Sequence, residues 1–251
     1  VDIVSSNHEG FRDAVSSLNA LGGGTFYVRE GTYTFRSTVF ISSQISVIAD
    51  SRACIQRDLS GSPNHILTIA GRWTGGLFTP KSLTANLTAF IVLSGKAVLE
   101  NSTIGDGEVR TTDGNFTFAV VAITGPAVSV FNNRFIDNKI ANDGGGSPRM
   151  IFASIGSGYK LIGNTFKNNS NGSAGIYSQS TGTVVIGNNI FDNNLFQTST
   201  ILIERSSGTL IIGNNIDNRA RTGTSGIYMT PPAADMVVAQ FEGLTIANNT
   251  F

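Results

Sequence analysis

Three similar phrases follow one another within Lys160–Asn218: KLIGNTFKNN begins at Lys160, VVIGNNIFDNN at Val184 and LIIGNNIDN at Leu210. Each phrase consists of an aliphatic run, a Gly-Asn pair, an apolar residue and a second Asn-rich segment, which is the pattern of strand, turn, strand and turn. Steps of 24 and 26 residues align three columns, namely Gly158, Gly182 and Gly208, then Ile162, Ile186 and Ile212, and finally Asn164, Asn188 and Asn214.

A period of this size, with strand patterns and no helix pattern, is typical of a solenoid of stacked coils. Three short strands per coil and a rise of about 4.8 Å between coils place equivalent residues of successive copies above one another. We expect the isoleucine column to face the core and the asparagine column to form a hydrogen-bonded ladder at a corner. The sequence therefore predicts an all-β protein with a parallel β-helix.

The composition agrees with this prediction and excludes several classes of partner. The 29 glycines and only 14% charged residues suit many tight corners and few helices. A net charge of zero offers no electrostatic footprint for nucleic acid or an anionic membrane surface, and no apolar run is long enough to span a bilayer. The single Cys54 cannot form an intrachain disulfide, and no metal-ligand spacing occurs. We expect no nucleic acid or membrane partner, no metal and no cofactor.

The N-terminal segment carries a helix pattern. Ser6 and Glu9 stand at capping-box spacing ahead of apolar residues on one helix face, and three consecutive glycines follow from Gly22. We interpret residues 6–21 as a helix that covers the open end of the solenoid.

The remaining chain is assigned to the same domain, 1–251, with irregular early coils over 25–100 and regular coils over 101–251. The early strands are predicted at Thr25–Val28, Thr32–Phe35, Val39–Ile41, Ile45–Ile48, Ile66–Ile69 and Phe90–Leu93. The sequence stops at Phe251, inside a corner phrase without a polar cap, so we expect the domain to belong to a longer chain or to be covered there by another domain or subunit.

The opening GGGTFYVREGTYTF at 22–35, followed by ISVIAD at 45–50, resembles the start of the pectate-lyase superfamily of parallel β-helices. It is most similar to the branch found in phage tailspikes and neck appendages, and the GNxFxNN phrases are similar to repeats of sugar-hydrolase β-helices. This resemblance implies a right-handed single-stranded β-helix with an N-terminal capping α-helix, a polysaccharide or glycan as partner, a homotrimer, and an extracellular or virion-surface location.

The resemblance does not select an activity. The Asp-Asp, His-Asp and Arg-Ile-Lys signatures of polygalacturonases are absent, and so is the Arg-x-Pro-x-x-Arg segment of pectate lyases. Both histidines, His8 and His65, lie in the N-terminal third. A histidine base on the regular coils is therefore not expected.

Excursions from the repeat point to a binding face. Extending the Asn corner to Asn101, Asn132 and Asn248 yields spacings of 31, 32, 24, 26 and 34 residues. The longer spacings arise from loops that interrupt one corner, Gly105–Asn115, Lys139–Arg149 and Asn218–Ser225, together with a fourth loop, Pro231–Gly243, at the other end of the first strand of a coil. Loops stacked on one side form a wall, and the first strands beside them form the floor of a groove.

Charged residues in this region are the candidates for catalysis. Asp113 and Asp143 lie in the wall loops, and Glu204 interrupts what the repeat alignment presents as a serine column on the floor. Two of these carboxylates about 5–10 Å apart would have the separation that glycosidases use for acid and base or nucleophile. Arg149 and Arg205 are candidates for neutralising a uronate carboxylate, as a lyase requires. The alternative is that all five are solvated turn charges.

Aromatic side chains provide the candidate sugar-stacking surface. The alignment places Tyr177 and Tyr228 in one column of the first strand with Ile203 between them, and Phe152 one column away. Trp73, in a Gly-Arg-Trp-Thr-Gly-Gly segment, is predicted to be an exposed turn residue that contacts sugar. The phenylalanines are predicted to stack in the core.

Two functions from different classes remain open. One is a polysaccharide depolymerase, either a lyase or a hydrolase, acting in the groove beside the loops. The other is a non-catalytic structural or receptor-binding module of a spike or adhesin, which the missing catalytic signatures favour.

Overall fold

The structure is a computed structural model that describes residues 2–3, 8–57, 65–82, 89–111, 119–142, 148–154, 156–170, 172–217, 225–230 and 241–251. It contains one helix, α1 (His8–Ala20). The strands in chain order are β1 (Asp2–Ile3), β2 (Gly24–Val28), β3 (Gly31–Phe35), β4 (Val39–Ile41), β5 (Ile45–Arg57), β6 (Leu67–Ile69), β7 (Arg72–Thr79), β8 (Lys81–Ser82), β9 (Ala89–Leu93), β10 (Val98–Glu100), β11 (Thr103–Gly105), β12 (Glu108–Thr111), β13 (Ala119–Ile123), β14 (Val128–Phe131), β15 (Arg134–Ile136), β16 (Lys139–Asn142), β17 (Arg149–Ala153), β18 (Tyr159–Ile162), β19 (Thr165–Lys167), β20 (Ala174–Ser178), β21 (Val184–Gly187), β22 (Ile190–Asp192), β23 (Ser199–Ile203), β24 (Ser206–Ser207), β25 (Thr209–Ile212), β26 (Asn215–Asp217), β27 (Ser225–Met229), β28 (Phe241–Glu242) and β29 (Thr245–Ala247).

The strands form a parallel solenoid, as the repeats predict. An eight-stranded parallel sheet, in the order β27-β23-β20-β17-β13-β9-β6-β4, forms one face. A sixteen-stranded sheet wraps around the other two faces, because β7 pairs with both β10 and β11 and so continues through the corner that separates them in higher coils. All printed strand pairings within these two sheets are parallel, which confirms the β-helix fold.

Each predicted early strand is present, although one is much longer than expected. The pattern at Ile45–Ile48 continues without a break to Arg57, because β5 pairs with both β2 and β3 around a bend near Asp50. Helix α1 begins at His8 in the described chain and ends at Ala20, and residues 4–7, which include the predicted capping Ser6, lie outside the described residues.

The register of the upper coils differs by one residue from the alignment of the three phrases. The inward column contains Leu99, Val130, Leu161, Ile186, Ile211 and Ile246, with steps of 31, 31, 25, 25 and 35 residues. Steps of 24 and 26 residues are therefore wrong. Ile162 and Ile212 pair with Gly187 and are half-exposed rather than in the core, whereas Leu161 and Ile211 are fully buried.

The predicted asparagine column is two separate ladders. One contains Asn133, Asn164, Asn189, Asn214 and Asn249, and the other contains Asn138, Asn169 and Asn194. At each step a side-chain Nδ2 donates to the Oδ1 of the asparagine in the next coil and also to a main-chain carbonyl of the coil below. Buried amides that bond in this way satisfy their own hydrogen-bonding groups and those of the corner backbone.

A left-handed residue precedes each member of the first ladder. Asn101, Asn132 and Asn188 have φ near 54°, and Gly163 and Gly213 take the same place with φ of 69° and 66°. Asparagine and glycine are interchangeable here because both tolerate this backbone conformation. The corner therefore turns at an Asn or Gly, and the following Asn is the buried ladder residue.

Helix α1 covers the N-terminal end of the core. Its buried side is formed by Phe11, Ala14, Val15 and Leu18. The Phe11 ring packs edge-on against Phe26 and Phe35 and stacks on Trp73 at a centroid distance of 5.9 Å. Such aromatic pairs add to the free energy of apolar burial, so the helix is joined firmly to the first coils. No helix within the described ranges is long and apolar enough to cross a membrane.

The predicted wall loops begin as strands. Residues Glu108–Thr111 pair with Lys139–Asn142 and with Lys81–Ser82 in a three-stranded parallel sheet. The remaining parts of these excursions, 112–118 and 143–147, are not among the described residues, nor are 218–224 and 231–240 of the two later loops.

Candidate functional site

The outer surface of the eight-stranded sheet carries a column of large side chains. Phe152, Tyr177, Leu202 and Tyr228 are registered partners in consecutive coils. Their sequence neighbours Ile151, Ile176 and Ile201 are fully buried and point to the other side of the sheet. The column is therefore an external surface about three coil steps long.

This register corrects three positions predicted from the sequence. The residue between Tyr177 and Tyr228 is Leu202 and not Ile203, and Phe152 shares their column. Phe152 is thus part of the outer surface, where it stacks against Tyr177 with ring centroids 5.6 Å apart, and the prediction that it belongs to the core is wrong.

Glu204 occupies a different column from the one expected. Because Ser178 pairs with Ile203, Glu204 follows in register with Gln179, and the column continues to Ser154 below and Thr230 above. The backbone bond from the Glu204 N–H to the Ser178 carbonyl, 2.9 Å, agrees with this register. The serine column interrupted by a glutamate is therefore wrong, and the glutamate instead extends a polar column beside the aromatic one.

The Glu204 carboxylate is held by two donors from the coil below. The Tyr177 hydroxyl donates to Oε2 of Glu204, and Gln179 Nε2 donates to the same oxygen at 2.6 Å. Gln179 Nε2 also lies 3.0 Å from the Tyr177 hydroxyl oxygen, so the three side chains form a closed triangle. Within the part of the chain that the structure describes, both bonds go to Oε2, which leaves Oε1 for another partner.

Arg149 lies against the same group of rings. Its guanidinium carbon is 3.8 Å from the centroid of the Tyr177 ring and 5.5 Å from that of Phe152. Both distances are within the range of a cation–π contact. The residue is only 9% exposed, and its Nη1 has no hydrogen-bond partner among the described residues.

Burial lowers the pKa of Arg149 to about 10, and the nearby negative charge of Glu204 partly opposes this shift. The guanidinium stays protonated at neutral pH because its pKa remains well above 7. The outer face thus combines a desolvated cation, two aromatic rings and one carboxylate. We call this group, formed by Arg149, Phe152, Tyr177, Gln179 and Glu204, the outer-face cluster.

The other predicted site residues fall outside this cluster. Asp113 and Asp143 are not among the described residues. Tyr228 is 39% exposed at the upper end of the aromatic column, two coils above Tyr177. Arg205 is half-buried, with an Nε that has no partner in the described chain, and no printed contact joins it to the cluster.

Trp73 is not a surface residue. Its side chain is fully buried, its Nε1 donates to the Gly75 carbonyl at 3.0 Å, and its ring packs against Phe11 and Phe78. The turn lies two residues later, at Gly75 and Gly76, which both have positive φ. The predicted sugar contact of Trp73 is therefore wrong, and the residue anchors the capping helix.

We expect Trp73→Phe to lower the free energy of unfolding by about 1–2 kcal/mol, because the bond to Gly75 and part of the buried ring are lost. Binding at the outer-face cluster should not change. Chemical denaturation and a glycan-retention assay measure the two quantities. Weaker retention with unchanged stability would restore Trp73 as a contact residue.

Phe152 and Gln179 are the members of the cluster that sequence reasoning missed. A 25-residue step between the two tight coils places Gln179 directly below Glu204, whereas a 26-residue step places Ser178 there. The signal was available in the paired Asn residues of the corners, but the glycines were aligned instead.

The cluster is suited to binding a sugar. Aromatic faces pack against the apolar faces of pyranose rings, while a carboxylate and a guanidinium bond to hydroxyl or acidic groups. The described residues contain no group of three or more His, Cys, Asp and Glu that could hold a metal ion. The chemistry available there is that of a carboxylate, a phenol and an arginine.

No protein family and no curated protein matches the sequence. Solved structures match in fold: a tailspike protein double mutant of E. coli bacteriophage HK620 in complex with pentasaccharide has a TM-score of 0.53 at 12% identity, over 96% of this chain and 53% of that chain. A mutant tailspike of the same phage in complex with hexasaccharide has a TM-score of 0.51 at 13% identity, over 89% and 50%. The chain has a tailspike-type β-helix fold. It spans about half the length of these tailspike chains.

The outer-face cluster thus lies on a tailspike-type β-helix whose solved structural relatives were determined with bound oligosaccharides. At these identities the likeness concerns the fold. The residues of the cluster therefore have to be judged by their own chemistry.

Proposed function

We propose that this protein binds a polysaccharide on the outer surface of its eight-stranded sheet, with the outer-face cluster as the centre of the site. The observation that carries the proposal is the stack of Arg149, Tyr177 and Phe152 beside a carboxylate that two neighbours hold in place. An external aromatic surface with fixed polar groups at its edge is the arrangement that recognises a sugar ring.

The column extends beyond one ring. Tyr228 is two coils above Tyr177, and coils rise by about 4.8 Å, so the two tyrosines are separated by about 10 Å along the solenoid. We place the glycan along this axis, with Phe152 and Tyr177 stacking on one part of it and Tyr228 contacting another. The saccharide complexes of tailspikes with this fold support a glycan as the ligand class.

The setting that best accommodates such a site is a virion or other extracellular appendage that recognises a cell-surface glycan. A homotrimer is part of this proposal and rests on the sequence resemblance to tailspikes. Light scattering of the purified protein measures the mass of the assembly. A monomer at micromolar concentration would remove the trimer from the proposal without affecting the glycan site.

Affinity for immobilised polysaccharides tests the binding proposal. A panel of bacterial surface polysaccharides and pectins is screened for retention of the protein, and Tyr177→Ala is then compared on every retained polysaccharide. We expect Tyr177→Ala to weaken binding about 30-fold, or ~2 kcal/mol, because it removes the central stacking ring and the partner of both Arg149 and Glu204.

Tyr27→Ala is the matched control, since Tyr27 is a 51% exposed tyrosine on the sixteen-stranded sheet. It should bind like the unsubstituted protein. Equal binding by Tyr177→Ala, or retention on no polysaccharide, would contradict the proposed site.

Cleavage of the bound glycan is a second candidate function. Glu204 favours it, because its Oε2 is held by Tyr177 and Gln179 and its Oε1 remains for a substrate or water. A glycosidase needs a second carboxyl group, and the candidates are Asp113 and Asp143, the latter six residues before Arg149 in the chain. A binding module without catalysis is the alternative, and the two differ in whether products form.

A further inference from the structure

The charge of Arg149 is incompletely compensated within the described chain. A guanidinium that is only 9% exposed has lost most of its hydration, and a buried charge is costly unless it is paired and hydrogen-bonded. Its Nη1 has no hydrogen-bond partner in the described ranges. Few buried polar groups remain unsatisfied in folded proteins, so such a group indicates a missing partner.

Neighbouring side chains do not provide a countercharge in register with Arg149. Its partners in the adjacent coils are Ala119 and Ala174, followed by Ser199 one coil further. The next outward column contains Ala122, Phe152 and Tyr177, which are all uncharged at neutral pH. The aromatic faces attract the cation, but a cation–π contact does not replace an anion.

Glu204 is the one carboxylate whose charge acts on Arg149. It raises the pKa of Arg149, yet burial is the larger effect and the net shift is downward, to about 10. The hydrogen bonds of Glu204 go to Tyr177 and Gln179. Glu204 therefore compensates the arginine only partly.

We propose that the polysaccharide bound at the outer-face cluster is acidic, and that an oxyanion on one of its sugars pairs with Arg149. This inference rests on the proposed function, because it assigns the ligand class of the same site. A carboxylate, a sulfate ester and a phosphate ester share the required chemistry, which is a planar or tetrahedral oxyanion that accepts two N–H bonds from one guanidinium.

The Tyr177 ring explains why an arginine suits this position better than a lysine. A planar guanidinium stacks on the ring face and still directs its N–H groups outward from its edge, whereas an ammonium is a strongly hydrated point charge. The stacking orients the cation before the ligand arrives. A preoriented cation loses less conformational entropy on binding than a free surface arginine.

The test begins with the same panel of acidic and neutral bacterial surface polysaccharides and pectins. Every polysaccharide that retains the protein is chemically converted to its neutral form, by carboxyl reduction, desulfation or dephosphorylation. We expect the neutral form to bind roughly 10- to 100-fold more weakly, because a hydrogen-bonded charge pair is lost. The conversion that causes this loss identifies which oxyanion Arg149 pairs with, and it requires no protein variant.

Variants locate the effect. Arg149→Gln should weaken binding of the acidic polysaccharide by a similar factor and should have little further effect on the neutral form. Arg134→Gln, which changes an exposed arginine on the sixteen-stranded sheet, is the control and should bind normally. Thermal denaturation of each variant verifies that it is folded.

The outcomes separate the two proposals. If the retained polysaccharides are neutral, or if carboxyl reduction, desulfation and dephosphorylation all leave binding intact while Tyr177→Ala abolishes it, the acidic ligand is wrong and the glycan site stands. If an acidic polysaccharide is bound equally by Tyr177→Ala and Arg149→Gln, both proposals fail at this surface. Retention on no polysaccharide contradicts both.

Discussion

Replacement of Asn189 by alanine is expected to destabilise the solenoid by about 3–5 kcal/mol. The Asn189 side chain donates to the Leu161 carbonyl and to Asn214 Oδ1, both at 2.9 Å, and accepts from the main-chain N–H and the Nδ2 of Asn164. Alanine removes all four bonds in a fully buried corner. Several polar groups then remain buried without partners, and each costs about 1–3 kcal/mol.

Asn193→Gly is the control for this prediction. Asn193 is exposed, has a left-handed φ of 53° and makes one side-chain bond, from its Nδ2 to Asn168. Glycine adopts that backbone without strain, so we expect a loss of no more than about 1 kcal/mol. Equilibrium unfolding in urea, followed by circular dichroism and by tyrosine fluorescence, measures both variants. Equal destabilisation by the two substitutions would show that the buried ladder has no special role.

The second large effect is expected at Glu204. If the protein cleaves its glycan, Glu204→Gln should reduce the rate about 10³-fold, which is the usual contribution of a positioned acid, base or nucleophile. Glutamine retains the shape of the side chain and an oxygen that accepts from Tyr177, so binding should change only a few-fold. The appearance of reducing ends measures hydrolysis, and the absorbance of an unsaturated sugar measures elimination.

Glu100→Gln is a matched control on another surface. Glu100 is also held by its neighbours, since Arg72 and Thr74 bond to its Oε1, but it lies on the sixteen-stranded sheet. It should leave the rate unchanged. Asp113→Asn and Asp143→Asn are measured alongside, and the one that lowers the rate identifies the second carboxyl group.

Cleavage by Glu204→Gln at the unsubstituted rate would remove Glu204 from catalysis. Binding by the unsubstituted protein without any product would assign the protein to the non-catalytic class of spike modules, with the outer-face cluster as its receptor site.

The sequence was sufficient for the architecture and insufficient for the register. Repeated strand and corner patterns predict a β-helix because few other folds bury such short apolar runs. The register was misread because Gly163 was aligned with Gly187, whereas Gly163 is equivalent to Asn188. Both residues occupy the left-handed corner, and their letters differ although their backbone requirement is the same.

The same one-residue shift explains the partial success at the site. Arg149, Tyr177 and Glu204 were predicted from residue chemistry and do meet on one surface. Gln179 and Phe152 were missed because a shift of one residue in a strand exchanges its inner and outer faces. Trp73 was misplaced because the glycines that follow it mark the corner, while the tryptophan itself belongs to the strand before the corner.

The two coils with identical 25-residue steps have a consequence for how such a protein can vary in length. Cutting out one complete step, so that Leu161 is followed by the residue that now follows Ile186, would leave the inward column, the left-handed corner and the buried asparagine in place. Nearest-neighbour contacts make such a coil a genetic cassette that can be gained or lost without redesign of its surroundings. This cut would remove Tyr177 and Gln179, so the length of the shaft and the capacity to recognise a ligand can evolve through the same event.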